Sequence, residues 1–390
     1  MISTGELLGI KAAGGEAFAQ LFELIFGSTA AYQRGTTSKE LEETIFVCIL
    51  QNFVGREPDS ISNADVDFVD AVVSNWFDST AKTQRMFVPC AITGHPGRSF
   101  SMGPVLFQYS PAFQPDCEVN AESLAKLRDL MHQRGAIWIA TVEVANCQPS
   151  RAWELGELAV DLALAGLQLF LPTAERTSRM NARTVPQFQV RIADLGASWS
   201  RHEPGLALAP GTLEQHLDRA EVLLKSVGNR IANFLNPGGP LPRLNSAWAD
   251  AAYWFHEGIA EPLDAIAVPK LVTAIEVLMR SGSTSGSQRR LITAIHAFYG
   301  LREGDLINPD SQTSVRQLAK SFVSDRSKIL HGTASTLGTS FLSSRGSLTD
   351  LVRGLLTNYS VLLDEYDTIP NRSDEIEDFL KWVREKLQPR

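Results

Sequence analysis

The stretch from Val315 to Thr333, VRQLAKSFVSDRSKILHGT, decides how the C-terminal half of the chain is read. Val315, Leu318, Ala319, Phe322, Ile329 and Leu330 recur at helical spacing, and Arg326 stands in that stripe where a core residue is due. A guanidinium keeps its charge, so burying it demands an anionic partner or a ligand phosphate. Five residues later comes His331, and then Gly332, a residue type that ends helices. The pattern sets a fixed cation and a titratable imidazole near one helix end, where both can serve a single phosphate.

Outward from this stretch, every periodic segment after Thr212 is helical. Leu213, Leu217, Ala220, Leu224, Val227, Ile231 and Phe234 form one long stripe that stops at NPGGPLP. Trp248, Ala251, Ala252, Phe255 and Ile259 form the next, with Pro262 and Pro269 expected to break the chain around it. Leu271, Ile275 and Leu278 mark a helix that carries Glu276. SGSTSGS (281–287) has neither the lysine nor the strand of a phosphate-binding loop and reads as a flexible connector. Leu348 to Tyr366 and Ile376 to Leu387 complete an expected all-α bundle of five to seven helices over residues 206–390.

Residues 1–205 read differently. Helical patterns around Phe18 to Ile25 and Leu41 to Ile49 give way to β-like runs, RMFVPCAIT and GPVLFQY, between residues 84 and 110. A helix near 121–133 leads to the β-like AIWIATVEVANC (136–147). A helix expected to bury Trp153, Leu158, Leu162 and Leu169 follows, and then a strand at 185–195. SRHEPGLALAPGT reads as the linker closing an α+β domain. The expected architecture is therefore an α+β N-terminal domain followed by an all-α bundle.

At 390 residues and 44% hydrophobic content, the chain is long enough for two or three domains with sizeable cores. The start lacks the pattern of a cleavable signal, and the longest apolar run (158–171) carries Asp161 and is too short for a bilayer, so a cytoplasmic protein without membrane contact is expected. Cys48, Cys90, Cys117 and Cys147 form no C-x-x-C pair, and the seven histidines form no ligand pattern; no metal or cofactor is expected. Essentially all of the formal charge of −8 falls in residues 1–205, which suits that half to a protein or small-molecule partner rather than RNA. Around the motif the sign turns: Arg280, Arg289, Arg290, Arg302, Arg316, Lys320, Arg326 and Lys328 outnumber Glu303, Asp305, Asp310 and Asp325.

The spacing Arg326-x4-His331, set after the helices KLVTAIEVLM (270–279) and RRLITAIHAFYG (289–300), resembles the R-x(4–6)-H motif of HEPN domains. The context is similar to the ApeA-like HEPN branch of bacterial antiviral systems. Arg290-x5-His296 also fits the spacing but lies on the edge of an ordinary amphipathic helix. The resemblance covers residues 206–370 and implies a metal-independent endoribonuclease, of defence or toxin type, that pairs as a homodimer. It implies that His331 acts as acid or base and Arg326 as phosphate clamp on RNA, with a 2′,3′-cyclic phosphate product. Glu276 is the carboxylate expected to orient Arg326, while Ser327, Asp325 and Lys328 are expected to support the cleft. Arg289, Arg290, Arg316 and Lys320 are expected to bind RNA.

Residues five apart on an ideal helix diverge by about 140°. Either the helix unwinds at Leu330, or Arg326 serves the partner subunit's half of the site. Three functions stay open: the nuclease, with an N-terminal domain that senses a phage-derived or protein trigger; a noncatalytic HEPN module for dimerisation or nucleotide binding, with the N-terminal domain as the working part; and a ligand-binding sensor without enzymatic activity of its own.

Overall fold

The computed structural model describes residues 12–53, 62–114, 120–134, 136–172, 177–180, 189–192, 199–202, 208–280, 284–307 and 312–387. Contacts divide the chain into two compact units, Met1–Met86 with Glu143–Gly156, and Phe87–Val142 with Glu157–Arg390.

The first unit is led by four helices, α1 (Ala12–Ser28), α2 (Ala30–Gly35), α3 (Ser38–Asn52) and α4 (Asn63–Thr80). Thr37 and Glu40 close a reciprocal capping box that starts α3, satisfying two backbone donors that a helix start leaves open. Ser62 and Asp65 do the same for α4. The helices enclose a core of Ile25, Tyr32, Leu41, Ile45, Cys48, Val69, Val73 and Phe77, with Tyr32 meeting Phe77 edge-on at 5.2 Å.

The strands are β1 (Lys82–Ala91), β2 (Phe100–Met102), β3 (Val105–Tyr109), β4 (Trp138–Cys147) and β5 (Ser178–Arg179), in the sheet order β2-β3-β4-β1-β5. The β2–β3, β3–β4 and β1–β5 pairings are antiparallel, with Phe107 opposite Ala140 and Cys90 opposite Arg179. Helices α5 (Ala121–Gln133) and α6 (Pro149–Phe170) flank β4 in the chain. β6 (Gln189–Ile192) and β7 (Trp199–His202) pair separately as a two-stranded ribbon.

From Thr212 onward the described elements are all helices: α7 (Thr212–Arg219), α8 (Glu221–Leu235), α9 (Pro242–Ala260), α10 (Asp264–Leu278), α11 (Thr284–Tyr299), α12 (Val315–Leu330), α13 (Leu342–Asp367) and α14 (Ile376–Leu387). Helix α10 is central, packing on α9, α11, α12 and α13. Trp248, Phe255, Leu271, Leu355, Tyr359 and Phe379 are fully buried in this region. Between β2 and β3, Gly103 (φ +58°) sits against Gly228 of α8 so closely that a Cβ on Gly103 would lie 2.3 Å from the Gly228 carbonyl oxygen. Glycine is required there by both the left-handed backbone and the space.

The mostly helical chain with one small sheet matches the expected order of an α+β region and then helices. Several details are corrected. Eight helices, not five to seven, follow Thr212 among the described residues, because the expected long stripe breaks at Ala220, where the buried position moves from Leu224 to Leu223. Pro269 lies inside α10 rather than breaking the chain, giving up one backbone donor in a helix whose Ala265, Val268, Leu271 and Val272 are buried. Thr284 to Ser287, expected in a connector, form the first turn of α11. Trp153 is 51% exposed, since nine residues before Leu162 it falls on the opposite side of α6. Leu158 is half-buried. Ser200 to His202, expected in the linker, belong to β7. The strand expected over 185–195 is seen as Gln189–Ile192, its other residues lying outside the described ones, as does Cys117. Cys48, Cys90 and Cys147 are buried free thiols, and burial pushes the Cys90 thiol far above its ordinary range.

Candidate functional site

Helix α12 starts with a capping box in which Ser314 and Gln317 satisfy each other's backbone donors. Val315, Ala319, Phe322 and Val323 bury its inner face, and Arg326 follows Phe322 by four residues on that face. The Arg326 Nη2 lies 3.4 Å from Glu276 Oε2 on α10, with the two side chains 28% and 15% exposed. The other Glu276 oxygen accepts a hydrogen bond from Ser287 Oγ at 2.8 Å, so the carboxylate links α10, α11 and α12. The expected pairing of Glu276 with Arg326 is therefore present. Ser287 was not expected in the site, because its serine- and glycine-rich surroundings concealed a helix start.

The guanidinium is loosely held. Arg326 makes no hydrogen bond among the described residues, its Nε is buried without a partner, and its one charged contact is at a distance where the bond is weak.

His331 caps α12. Its backbone N–H donates to Ser327 O at 3.0 Å, so the helix runs through Leu330 without unwinding. Gly332 (φ +67°) donates to Ile329 O and Thr333 donates to Lys328 O, the paired bonds of a Schellman ending. Of the two resolutions of the five-residue spacing, local unwinding at Leu330 is ruled out. Arg326 turns toward Glu276, and the exposed His331 lies about 140° away around the same helix.

The remaining expected residues divide by contact. Asp325 accepts a hydrogen bond from Ser344 Oγ of α13 at 2.8 Å and lies 3.6 Å from Lys328. Ser327 is half-buried. Arg290 pairs with Glu377 at 2.6 Å and Arg316 with Glu303 at 2.5 Å, whereas Arg289 and Lys320 are exposed. Arg290 and Arg316 thus carry neutralising partners that spacing did not reveal.

A groove of about 420 Å³ opens beside Glu276 between α9 and α10. Asp250 and Ser246 line it from α9, Thr273 and Glu276 from α10, and Arg280 from just past the end of α10; neither Arg326 nor His331 is in the lining. Burial holds the Asp250 carboxyl above its ordinary range, against the opposing pull of Ser246 and Arg280. Such a carboxyl can hold or release a proton beside a ligand. Asp250 lies with Ser246 on the exposed face of α9, where a lone acidic residue gave no signal of a groove. Among the described residues, no group of three or more His, Cys, Asp or Glu is placed to hold a metal ion, and no helix is long and apolar enough to cross a membrane.

No protein-family model matches the chain, and neither the curated proteins nor the solved structures provide a match.

Proposed function

We propose that the chain is a metal-independent endoribonuclease of HEPN type, of bacterial defence or toxin kind, active as a homodimer. Its N-terminal half would sense a trigger or protein partner. Arg326 carries this reading: a guanidinium partly open to solvent, neutralised by one carboxylate yet with no donor committed to a hydrogen bond, close along the chain to an exposed histidine. A structural arginine spends its donors on the fold, and this one holds them for an oxyanion.

In the reaction, one His331 takes the proton of a ribose 2′-hydroxyl, and the 2′-oxygen bonds to phosphorus. The bond from phosphorus to the 5′-oxygen breaks, and a second protonated His331 supplies that oxygen's proton. Arg326 stabilises the charge on the phosphate oxygens. Because Arg326 and His331 diverge around one helix, the second histidine comes from a second copy. Leu330, Leu337 and Leu342, all exposed around His331 in the chain, give that copy apolar surface to cover.

The test is labelled RNA with the full chain in EDTA. His331→Ala and Arg326→Lys should each lose about a hundred- to thousand-fold in cleavage rate, roughly 2.7 to 4 kcal/mol, with little change in Tm. Unchanged cleavage by His331→Ala would overturn the assignment.

A second reading, a noncatalytic HEPN module, is favoured by the helix end itself, since Gly332 and His331 are fully accounted for as a Schellman ending. Under it, Arg326→Lys lowers Tm through the link to Glu276, His331→Ala is silent, and RNA survives with every variant.

A further inference from the structure

Pro111 fixes the first turn after β3, so that Ser110–Ala112 forms a single 3-10 turn before the chain reaches Phe113. This turn and the last turns of α5 enclose a pocket of about 330 Å³, within the size range of small-molecule sites. Its apolar lining includes Met131, which is fully buried, and Ile137. Tyr109 forms part of the wall and is held by an edge-on contact with Trp138 at 6.1 Å. A rigid aromatic wall beside apolar side chains suits a flat ring.

The polar lining supplies the opposite character. Arg128 and His132 lie four residues apart, on one face of α5. The Arg128 Nη2 donates to Phe113 O at 2.5 Å, which fixes the guanidinium plane, while Nη1 makes no hydrogen bond and Nε is buried without a partner. Ser110 is 5% exposed and lines the pocket beside Arg128. A buried guanidinium nitrogen left open beside a concave site indicates an absent partner. Asp129 is the acid in the lining, and it is exposed. At the helix end the Leu130 carbonyl accepts from the Arg134 N–H at 3.2 Å, and the Met131 carbonyl accepts from Arg134 at 3.1 Å and from Ala136 at 2.9 Å.

We infer that this pocket binds a small ligand in which a flat ring carries an anionic group, the ring against Tyr109 and Ile137 and the anion on Arg128, Ser110 and His132. The site is separate from RNA cleavage and stands or falls without it.

Calorimetric titration of the full chain, with no RNA present, tests this with adenosine 5′-monophosphate, phenyl phosphate and inorganic phosphate. Saturable binding is expected for the two ring-bearing phosphates and weaker binding for inorganic phosphate. Arg128→Gln should weaken binding about tenfold or more, the size of one charge-assisted contact. Because Arg128 also holds Phe113, the deciding variant is His132→Glu, which reverses the charge preference at an exposed position and should weaken binding similarly with unchanged Tm. No saturable binding of either ring-bearing phosphate, or equal affinity in wild type and His132→Glu, overturns the inference. Inorganic phosphate binding as tightly as the other two overturns the ring contact.

Discussion

Two half-buried arginines of this chain are held in opposite ways. Arg179, at the sheet edge, gives Nε and Nη2 to the two oxygens of Asp161 at 2.7 and 2.9 Å, and Nη1 lies 2.9 Å from Glu157. Burial pulls its pKa down, yet Asp161 and Glu157 more than offset that and hold it above the ordinary value. Arg326 has one 3.4 Å contact with Glu276 and no hydrogen bond. Arg230 is a third case, with Nε and Nη1 unpaired beside Asp364, but at 3% exposed it is closed to any ligand. Of these three, Arg179 has its fork filled and Arg230 is walled in; Arg326 is neither.

The sharpest way to break the comparison is to remove each carboxylate. Asp161→Ala leaves Arg179 buried without its two-pronged partner and should cost about 3 to 5 kcal/mol. Glu276→Ala should cost roughly 1 kcal/mol, because the pair is part-exposed and poorly aligned. Chemical denaturation of both variants checks the order, and equal losses would remove the distinction on which the Arg326 reading rests.

The sheet-edge network extends to His256 of α9, whose Nδ1 lies 2.9 Å from Gln168 Oε1 and whose Nε2 lies 3.9 Å from Asp161. Burial lowers its pKa, and the Coulombic pull of Asp161 and Glu257 does not restore it, with Arg179 acting in the same sense as burial. The folded state therefore resists a proton that the unfolded chain accepts. This contribution to stability is complete above the unfolded pKa of roughly 6.5 and declines as pH falls below it, toward the lower folded value. The slope should approach about 1.4 kcal/mol per pH unit within that window, and His256→Gln should remove it. A pH series of unfolding curves on wild type and His256→Gln measures the difference.

The smallest effect tests the helix end. Gly332→Ala should cost about 1 kcal/mol, since a Cβ is strained at φ +67° even though nothing crowds it. If cleavage falls much further than Tm implies, the geometry of His331 depends on that turn.

The sequence revealed the parts of this site that lie within single helices. The stripe through Phe322, the misplaced Arg326 and the glycine ending were all legible, as was Glu276 on its own helix, because helical period alone specifies them. The contacts that distinguish one arginine from another were not. Ser287 reaches Glu276 across eleven residues and Arg179 reaches Asp161 across eighteen, and neither spacing carries a periodic signal. Pro269 misled for a related reason: a local breaker is outweighed when the helix that contains it is packed on four others. β1, β3 and β4 were legible, where hydrophobic runs are long; the short β2 and β5 were not, and the ribbon of β6 and β7 was half hidden by short polar segments.

The meeting of Gly103 and Gly228 has a mechanical consequence. Side chains at a joint absorb displacement by changing rotamer, but here main chain rests on main chain, and no rotamer is available to slip. A shift of the β2–β3 hairpin would press directly on α8, which packs in turn on α9 and α13. Stiffness at that joint, rather than any bond, would couple events on the hairpin to the helices beyond it.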